Sequence, residues 1–258
     1  MKKIYFQQAK LYRKSIGTEL LQKMYSSKLT FKSLLEIGPG KGEIISEFIS
    51  NSKLKELNLS FIEPDSTAIF NLQNRFPKSE IYNENLEQFL NKQFMFNQFD
   101  IIFANFSLHW VENIEARLVL LRELLTNEGL IGFSNTDSKR SFWADINKQV
   151  QLQFPGSSLF NIENTHSLNA KQWLEMFNEK GFTLVSETHY EGVAAVFDSP
   201  NSALSDFKMM VGKNYLKLST GVTSQDIETF VLKILNEKKN ENGQVEVNAS
   251  GYSMVFKR

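Results

Sequence analysis

Apolar residues recur along this chain in two rhythms. Near the start, Phe6, Ala9, Leu11, Tyr12, Ile16, Leu20, Leu21 and Met24 stand mostly three or four apart. That is the spacing of one helix face, and it predicts a helix within residues 1–30. From residue 33 the pattern changes to short apolar runs separated by amphipathic stretches. Ser33–Ile37, Leu57–Glu63, Glu80–Tyr82, Phe99–Asn105 and Leu130–Ser134 read as strands. Helices are predicted from Glu43 to about Ser50, after Pro64-Asp65 through Ile69, Phe70 and Leu72, and over Glu115–Leu125, with Asn127-Glu128-Gly129 as a turn. Strands alternating with helices across the first 135 residues predict an open, mostly parallel α/β sheet. Ligands of such a sheet sit at the carboxyl ends of its strands.

The alternation breaks after Ser138. Phe142, Trp143, Phe154, Phe160 and Pro155-Gly156 suggest an inserted helical cap over residues 138–169, and 196–222 forms a second such segment. Between and beyond them lie a helix at Ala170–Lys180 closed by Gly181, a strand at Phe182–Tyr190, and helices at Ala203–Val211 and Gln225–Glu237. A turn over Lys238–Gly243 leads to a final strand at Val245–Lys257. No repeat or linker interrupts the chain, so residues 1–258 are expected to form a single domain with residues 31–135 as its ligand-binding core.

Composition narrows the partners. Lys plus Arg (29) equals Asp plus Glu (29), so there is no basic excess of the kind a nucleic-acid or membrane-surface binder carries. There is no cysteine, hence no disulfide framework and no thiolate chemistry. Met1–Gln8 lacks the apolar core of a signal peptide, and no run approaches membrane-span length. A cytoplasmic protein is expected. The three histidines show no metal-ligand spacing, and no metal is expected.

The candidate chemistry is concentrated in Leu34-Leu35-Glu36-Ile37-Gly38-Pro39-Gly40-Lys41-Gly42. Glycines between a buried strand and a helix let backbone N–H groups approach a ligand, because no Cβ intervenes. A dinucleotide fingerprint would need glycine where Glu43 stands, and a P-loop would need Ser or Thr where Gly42 stands. Glu63, at the tip of the second strand, is where a βαβ fold presents an acid to ribose hydroxyls. Asp65 reads as the cap of the following helix.

Glu36-x-Gly38-x-Gly40-x-Gly42 resembles the first motif of class I S-adenosylmethionine (SAM) methyltransferases, a resemblance covering about residues 30–135. It implies a Rossmann-like sheet whose final strand is antiparallel, and SAM as cofactor. The implied cofactor residues are Glu36, Gly38, Pro39, Gly40, Gly42, Glu63, Pro64, Asn85, Leu86 and Asn105, with Asn85 standing where the family more often has Asp. Asn105-Phe106-Ser107-Leu108-His109-Trp110 resembles the family's fourth motif, which faces the methyl group and the substrate.

Phe6-x-x-Ala9-x-x-Tyr12, and Phe197-x-Ser199-Pro200 followed by Leu204, Phe207-Lys208 and Gly212, are similar to segments of malonyl-[acyl-carrier-protein] O-methyltransferases of biotin synthesis. That resemblance implies a carboxylate acceptor, either a small molecule or one borne on an acyl carrier protein. Asn105–Trp110 also fits trans-aconitate and other carboxylate methyltransferases. The alternatives are a small-molecule methyltransferase on an aconitate-like acid, an amine or a phenol, and a non-catalytic SAM-binding protein, against which the intact glycine loop and fourth motif count. His109 and Tyr12 are the catalytic candidates; Tyr5, Trp110, Arg117 and Trp143 are the substrate candidates. Tyr5, Tyr12 and Arg13 are placed to form a lid over the glycine loop. A carboxylate is ionised at neutral pH, so such an enzyme needs no strong base, and His109 is expected to orient or pack. Lys139-Arg140, or Lys208 with Lys213 and Lys217, would supply a basic docking surface for an acidic carrier.

Overall fold

The computed structural model of the protein describes residues 9–27, 31–51, 57–92, 96–137, 142–160, 168–211 and 215–258. The predicted contributions of Tyr5, Lys139, Arg140 and Lys213 lie outside them. The chain opens with α1 (Ala9–Ser27), β1 (Ser33–Ile37), α2 (Glu43–Asn51), β2 (Asn58–Ile62), α3 (Ser66–Arg75), β3 (Glu80–Tyr82), α4 (Leu86–Lys92), β4 (Phe99–Asn105), α5 (Ile114–Leu124) and β5 (Leu125–Thr136). It continues with α6 (Phe142–Gln153), β6 (Ser158–Phe160), α7 (Ala170–Glu179), β7 (Thr183–Phe197), α8 (Pro200–Val211), β8 (Tyr215–Lys217), α9 (Ser224–Glu237) and β9 (Val245–Lys257). No described helix is long and apolar enough to cross a membrane.

Seven strands form one sheet in the order β3-β2-β1-β4-β5-β9-β7. β1 pairs in parallel with both β2 and β4, and β2–β3 and β4–β5 are parallel as well. Strand order therefore reverses between β1 and β4, which opens a crevice at their carboxyl ends. β9 runs antiparallel to β5: Asp137 N–H donates to Ser250 C=O (2.9 Å) and Arg258 N–H to Gly129 C=O (3.1 Å), so one strand ascends as the other descends.

The chain divides into two compact units. One comprises Arg13–Asn135, Leu168–His189 and Gly251–Arg258. Its strands are buried on both faces, as parallel strands covered by helices are, and alternate residues go to opposite sides. Leu35, Ile37 and Ile102 pack with Phe89 of α4, Leu121 of α5 and Trp173 and Phe177 of α7. Leu34, Ile101 and Phe103 pack with Leu20, Leu21 and Met24 of α1 and Ile45 and Phe48 of α2. On the first face Phe177 stacks on Phe256 with centroids 4.3 Å apart. On the second, Gly132 is required: a Cβ there would lie 2.3 Å from Met24 Sδ.

The other unit takes in Thr136–Ser167 and Tyr190–Ser250, with the start of α1. It includes the predicted cap segment 196–222 and all but the last two residues of 138–169, and extends through α9. Residues 138–169 are more regular than expected, because α6 and β6 form there and β6 pairs antiparallel with β8. Ile146, Val150, Leu159, Ile227, Val231, Leu235 and Val245 make an apolar core of its own. Trp143 belongs to that core, only 9% exposed and stacked on Phe207 at 4.1 Å. The structure gives Trp143, a substrate candidate from the sequence, a packing role. Lys208 Nζ donates to Glu228 Oε1 (2.6 Å), as does Tyr215 OH (3.1 Å), so Lys208 is paired within this unit.

Two boundaries move for physical reasons. β5 begins at Leu125, not Leu130; its pairing with β4 jumps from Phe99–Leu125 to Ile101–Leu130, so the predicted Asn127–Gly129 turn is an excursion inside the strand. α8 begins at Pro200 rather than Ala203, since proline lacks only an N–H that the first turn leaves unused.

Because Trp143 fills the core of the second unit, Trp143→Ala should destabilise the protein by about 3–5 kcal/mol, the usual cost of removing a buried large aromatic. A lowered urea midpoint with unchanged SAM affinity, by calorimetry, is the expected outcome. An unchanged midpoint would refute the packing role.

Candidate functional site

The loop between β1 and α2 is held in a conformation that explains its three glycines. Gly38, Gly40 and Gly42 have φ of +69°, +55° and +69°, a region that L side chains enter only with strain. Their surroundings differ. A Cβ on Gly38 would lie 2.7 Å from Ser107 Cβ, and one on Gly42 would lie 2.7 Å from Phe76 and 2.8 Å from Leu72. A Cβ on Gly40 would meet nothing within 4 Å. Two of the glycines are thus demanded by the protein's own packing, while the middle one borders open space. Pro39 C=O accepts from Gly42 N–H (3.0 Å), and Gly42 C=O from Ser46 N–H (3.1 Å), which carries the turn into α2.

Two neighbours fasten the loop. Glu63, just past β2 and buried, accepts from Gly40 N–H through Oε2 (2.9 Å) and from Asp65 N–H through Oε1 (3.0 Å). Ser107, just past β4, donates to Ile37 C=O (2.6 Å). The predicted ribose acid therefore stands at the loop with its carboxylate already bridging two backbone segments. Asp65 caps α3 by accepting from Thr67 N–H (2.8 Å), and Pro64 between them is exposed.

Glu36 lies beneath the loop, 1% exposed, and its Oε2 has no hydrogen-bond partner among the described residues. Burial, reinforced by the negative charge of Glu63, pushes its carboxyl up to about 8. A buried carboxyl with one unpartnered oxygen, at the end of the strand that leads into the glycine loop, is an acceptor suited to a ligand that brings a cationic or N–H group. SAM, with an ammonium and a sulfonium, fits it. Asn85 and Leu86 are committed more locally. Asn85 Oδ1 accepts from Gln88 N–H (2.8 Å) while Gln88 Oε1 accepts from Asn85 N–H (3.1 Å), a capping box for α4. Leu86 is buried in the core with Phe89 and Leu90.

At the end of β4, Asn105 Nδ2 donates to Arg13 C=O (3.2 Å) and its Oδ1 accepts from Ser134 Oγ (2.6 Å). Ser134 Oγ in turn accepts from Phe106 N–H (3.3 Å). These bonds tie α1 to the ends of β4 and β5. Gly17 of α1 lets the helix lie close, since a Cβ there would come within 2.6 Å of Ile44 and 2.9 Å of Asn105. Phe106 has φ +53°, an uncommon conformation for an aromatic residue that persists only where its surroundings hold it. The Arg13 guanidinium stands 5.7 Å over its ring. Ser134 was not singled out from the sequence; its position as the last residue of a predicted strand was the available signal.

His109 and Trp110 lie in a short 3-10 turn, with ring centroids 5.0 Å apart. His109 Nδ1 is buried without a partner among the described residues. Burial, and next the charge of Arg13, lowers its pKa to about 4, so its imidazole is neutral at physiological pH. Trp110 is 49% exposed. Arg117 sits on α5, where Nη1 donates to Asn91 Oδ1 of α4 (3.4 Å). Tyr12 is buried near the start of α1. Among the described residues no three of His, Asp and Glu cluster as a metal site.

Residues 35–131 match the family model Methyltransf_12, a methyltransferase domain. A mitochondrial arginine-hydroxylase of Danio rerio, NDUFAF5, is 27% identical over 122 residues, covering 46% of this chain and 35% of that protein. The chain thus spans about a third of the length of this curated relative. Among solved structures, one similar protein is described as a candidate methyltransferase of Bacillus halodurans (TM-score 0.61, 13% identity, 93% of this chain and 99% of that one). Another is the N-methyltransferase NodS of Bradyrhizobium japonicum (TM-score 0.51, 12% identity, 96% of each chain). At such identities the structural likeness is one of fold, and the fold is the Rossmann-like sheet of class I methyltransferases. Domain and fold agree: residues 35–131 form a methyltransferase domain on the fold of class I methyltransferases, and S-adenosylmethionine is the methyl donor implied for it.

Proposed function

We propose that the chain transfers a methyl group to a carboxylate, with malonyl-[acyl-carrier protein] as the first acceptor to test and a trans-aconitate-like acid as the second. The state of His109 carries this reading. With its pKa lowered to about 4, the imidazole is too weak a base to take a proton from a phenol or an ammonium group near neutral pH. A carboxylate acceptor is already ionised there and asks for no proton transfer.

The bound donor supplies an electrophilic methyl on a sulfonium. What the chain must add is proximity, alignment and exclusion of water. The strained turn at Phe106 and the buried His109 ring give the end of β4 a rigid floor, and the Arg13 charge over Phe106 favours an approaching anion. Of the lysines proposed for carrier docking, Lys208 is paired with Glu228, and Lys217 is exposed on β8.

Malonyl-carrier protein, trans-aconitate and a simple phenol should be assayed in parallel. At least one of the two carboxylates is expected to be methylated. His109→Asn, which keeps a hydrogen-bonding group but cannot act as a base, should lose less than about 10²-fold, the low end for a general base. Turnover of the phenol alone, with a larger collapse in His109→Asn, would overturn the carboxylate reading and leave the methyltransferase standing.

The loop yields a paired test of the donor site. Gly40→Ala places a methyl group in open space at φ +55°, so it should leave a folded protein whose SAM affinity drops by about tenfold or more, at least ~1.4 kcal/mol. Gly42→Ala drives its methyl into Phe76 and Leu72 and should instead lower the melting temperature. Titration calorimetry and thermal melts on both variants check this; equal SAM affinity in Gly40→Ala and the native protein would contradict it.

A further inference from the structure

Glu36 is a group that methyl transfer does not require to be an acid. It lies on β1 on the same sheet face as Leu34, between β2 and β4 and under α1 and α2, and it is 1% exposed. Burying an ionised carboxylate without a hydrogen-bond donor is costly, and the usual outcome is that the group keeps its proton. No donor to Oε2 exists among the described residues.

The charged and titratable groups on the elements around it do not relieve this. Glu63, beyond β2, adds negative charge and spends its own oxygens on Gly40 and Asp65 N–H. Lys14 of α1 is paired with Glu47 of α2 at 2.6 Å, Lys23 of α1 with Glu19 at 2.8 Å, and Lys41 of the loop is exposed. Asp100 of β4 sits at the other end of the strand, bonded to Lys32 N–H and Ser33. Arg13 and His109 stand at the end of β4.

We propose that cofactor binding is proton-linked: Glu36 is a carboxylic acid in the free protein, and the cation brought to the glycine loop drives its proton into solvent. The O–H bond of the carboxyl breaks, the proton passes to buffer, and the resulting carboxylate faces the positive charge of the cofactor. Nothing is oxidised or reduced. This rests on the cofactor and is independent of the acceptor.

The consequences have signs. The carboxyl of the free protein is pushed up to about 8 from an ordinary 4.5. Its contribution to the stability of the free protein is therefore fully present below pH 4.5 and is lost as pH rises through 8. A cation placed beside it reverses the preference, so SAM should bind more tightly as pH rises from 6 toward 8, by up to about tenfold per pH unit, and less tightly above, where the cofactor's own ammonium loses its proton.

Titration of the free protein with SAM, in two buffers of different ionisation enthalpy, reads the proton directly. About nine-tenths of a proton should be released per SAM bound at pH 7, and only about a tenth from the carboxyl at pH 9, where it is almost fully ionised. The cofactor's own amine titrates near 7.7–8.0 and can only add proton uptake at the higher pH. Glu36→Gln should bind without release at pH 7, and its stability should lose the decline seen in the native protein between pH 6.5 and 8. Should Glu36→Gln fail to fold or bind, the native protein at pH 7 and pH 9 still decides the matter. No release at pH 7, equal release at both pH values, or release that survives in Glu36→Gln would overturn the proposal. None of these readouts involves an acceptor, so a failure here leaves the carboxylate reading untouched, and the reverse holds too.

Discussion

The two hydrogen bonds that the Glu63 carboxylate accepts from Gly40 and Asp65 N–H are the constraint on which the site depends. They tie the tip of β2 to a loop that leaves β1 in a left-handed course. Bonds to a charged acceptor contribute about 1.5–3 kcal/mol each, enough to offset the strain of three successive positive-φ turns when glycine occupies them. From the other side, Ser107 holds Ile37 C=O. The loop is therefore set by the ends of β1, β2 and β4 together, at the point where strand order reverses.

The same economy recurs at the end of β4. Asn105 satisfies both ends of its amide, one on the α1 backbone and one on Ser134. A helix that approaches this closely needs Gly17, and it needs Gly132 where it crosses β5. Small residues thus let α1 close one face of the sheet, and the Arg13 charge is delivered to Phe106 and His109 as a result. Electrostatics at the site follow from backbone proximity.

Two titrating groups are displaced in opposite directions by one cause. Desolvation holds Glu36 protonated and His109 unprotonated, because burial disfavours whichever form carries charge. Near neutrality these two groups therefore carry little charge of their own, and the charges of the site reside on Glu63 and Arg13. A cationic donor suits the first, and the proposed anionic acceptor suits the second; methyl transfer between them neutralises both.

Much of this was legible in the residues. The alternating glycines, the acid before them and the acid at the tip of the second strand are local patterns with local causes: a sharp turn needs φ > 0, and a buried strand is continuously apolar. The final strand, Val245–Lys257, matches its predicted bounds for the same reason. Other features depend on partners distant in sequence. Ser107 forces Gly38, Phe76 and Leu72 force Gly42, and only the folded chain shows that Gly40 faces open space. Only the folded chain shows that Asn85 also closes a capping box with Gln88, and that the cap residue Trp143 is stacked on Phe207. Ser134 carries no signal before β5 is set beside β4. Sequence determined where the chain must turn and what it must bury, because those follow from backbone sterics and apolar spacing. Tertiary structure decided which polar groups are already satisfied and which are left for a ligand, because hydrogen bonding and desolvation are settled only when distant segments meet.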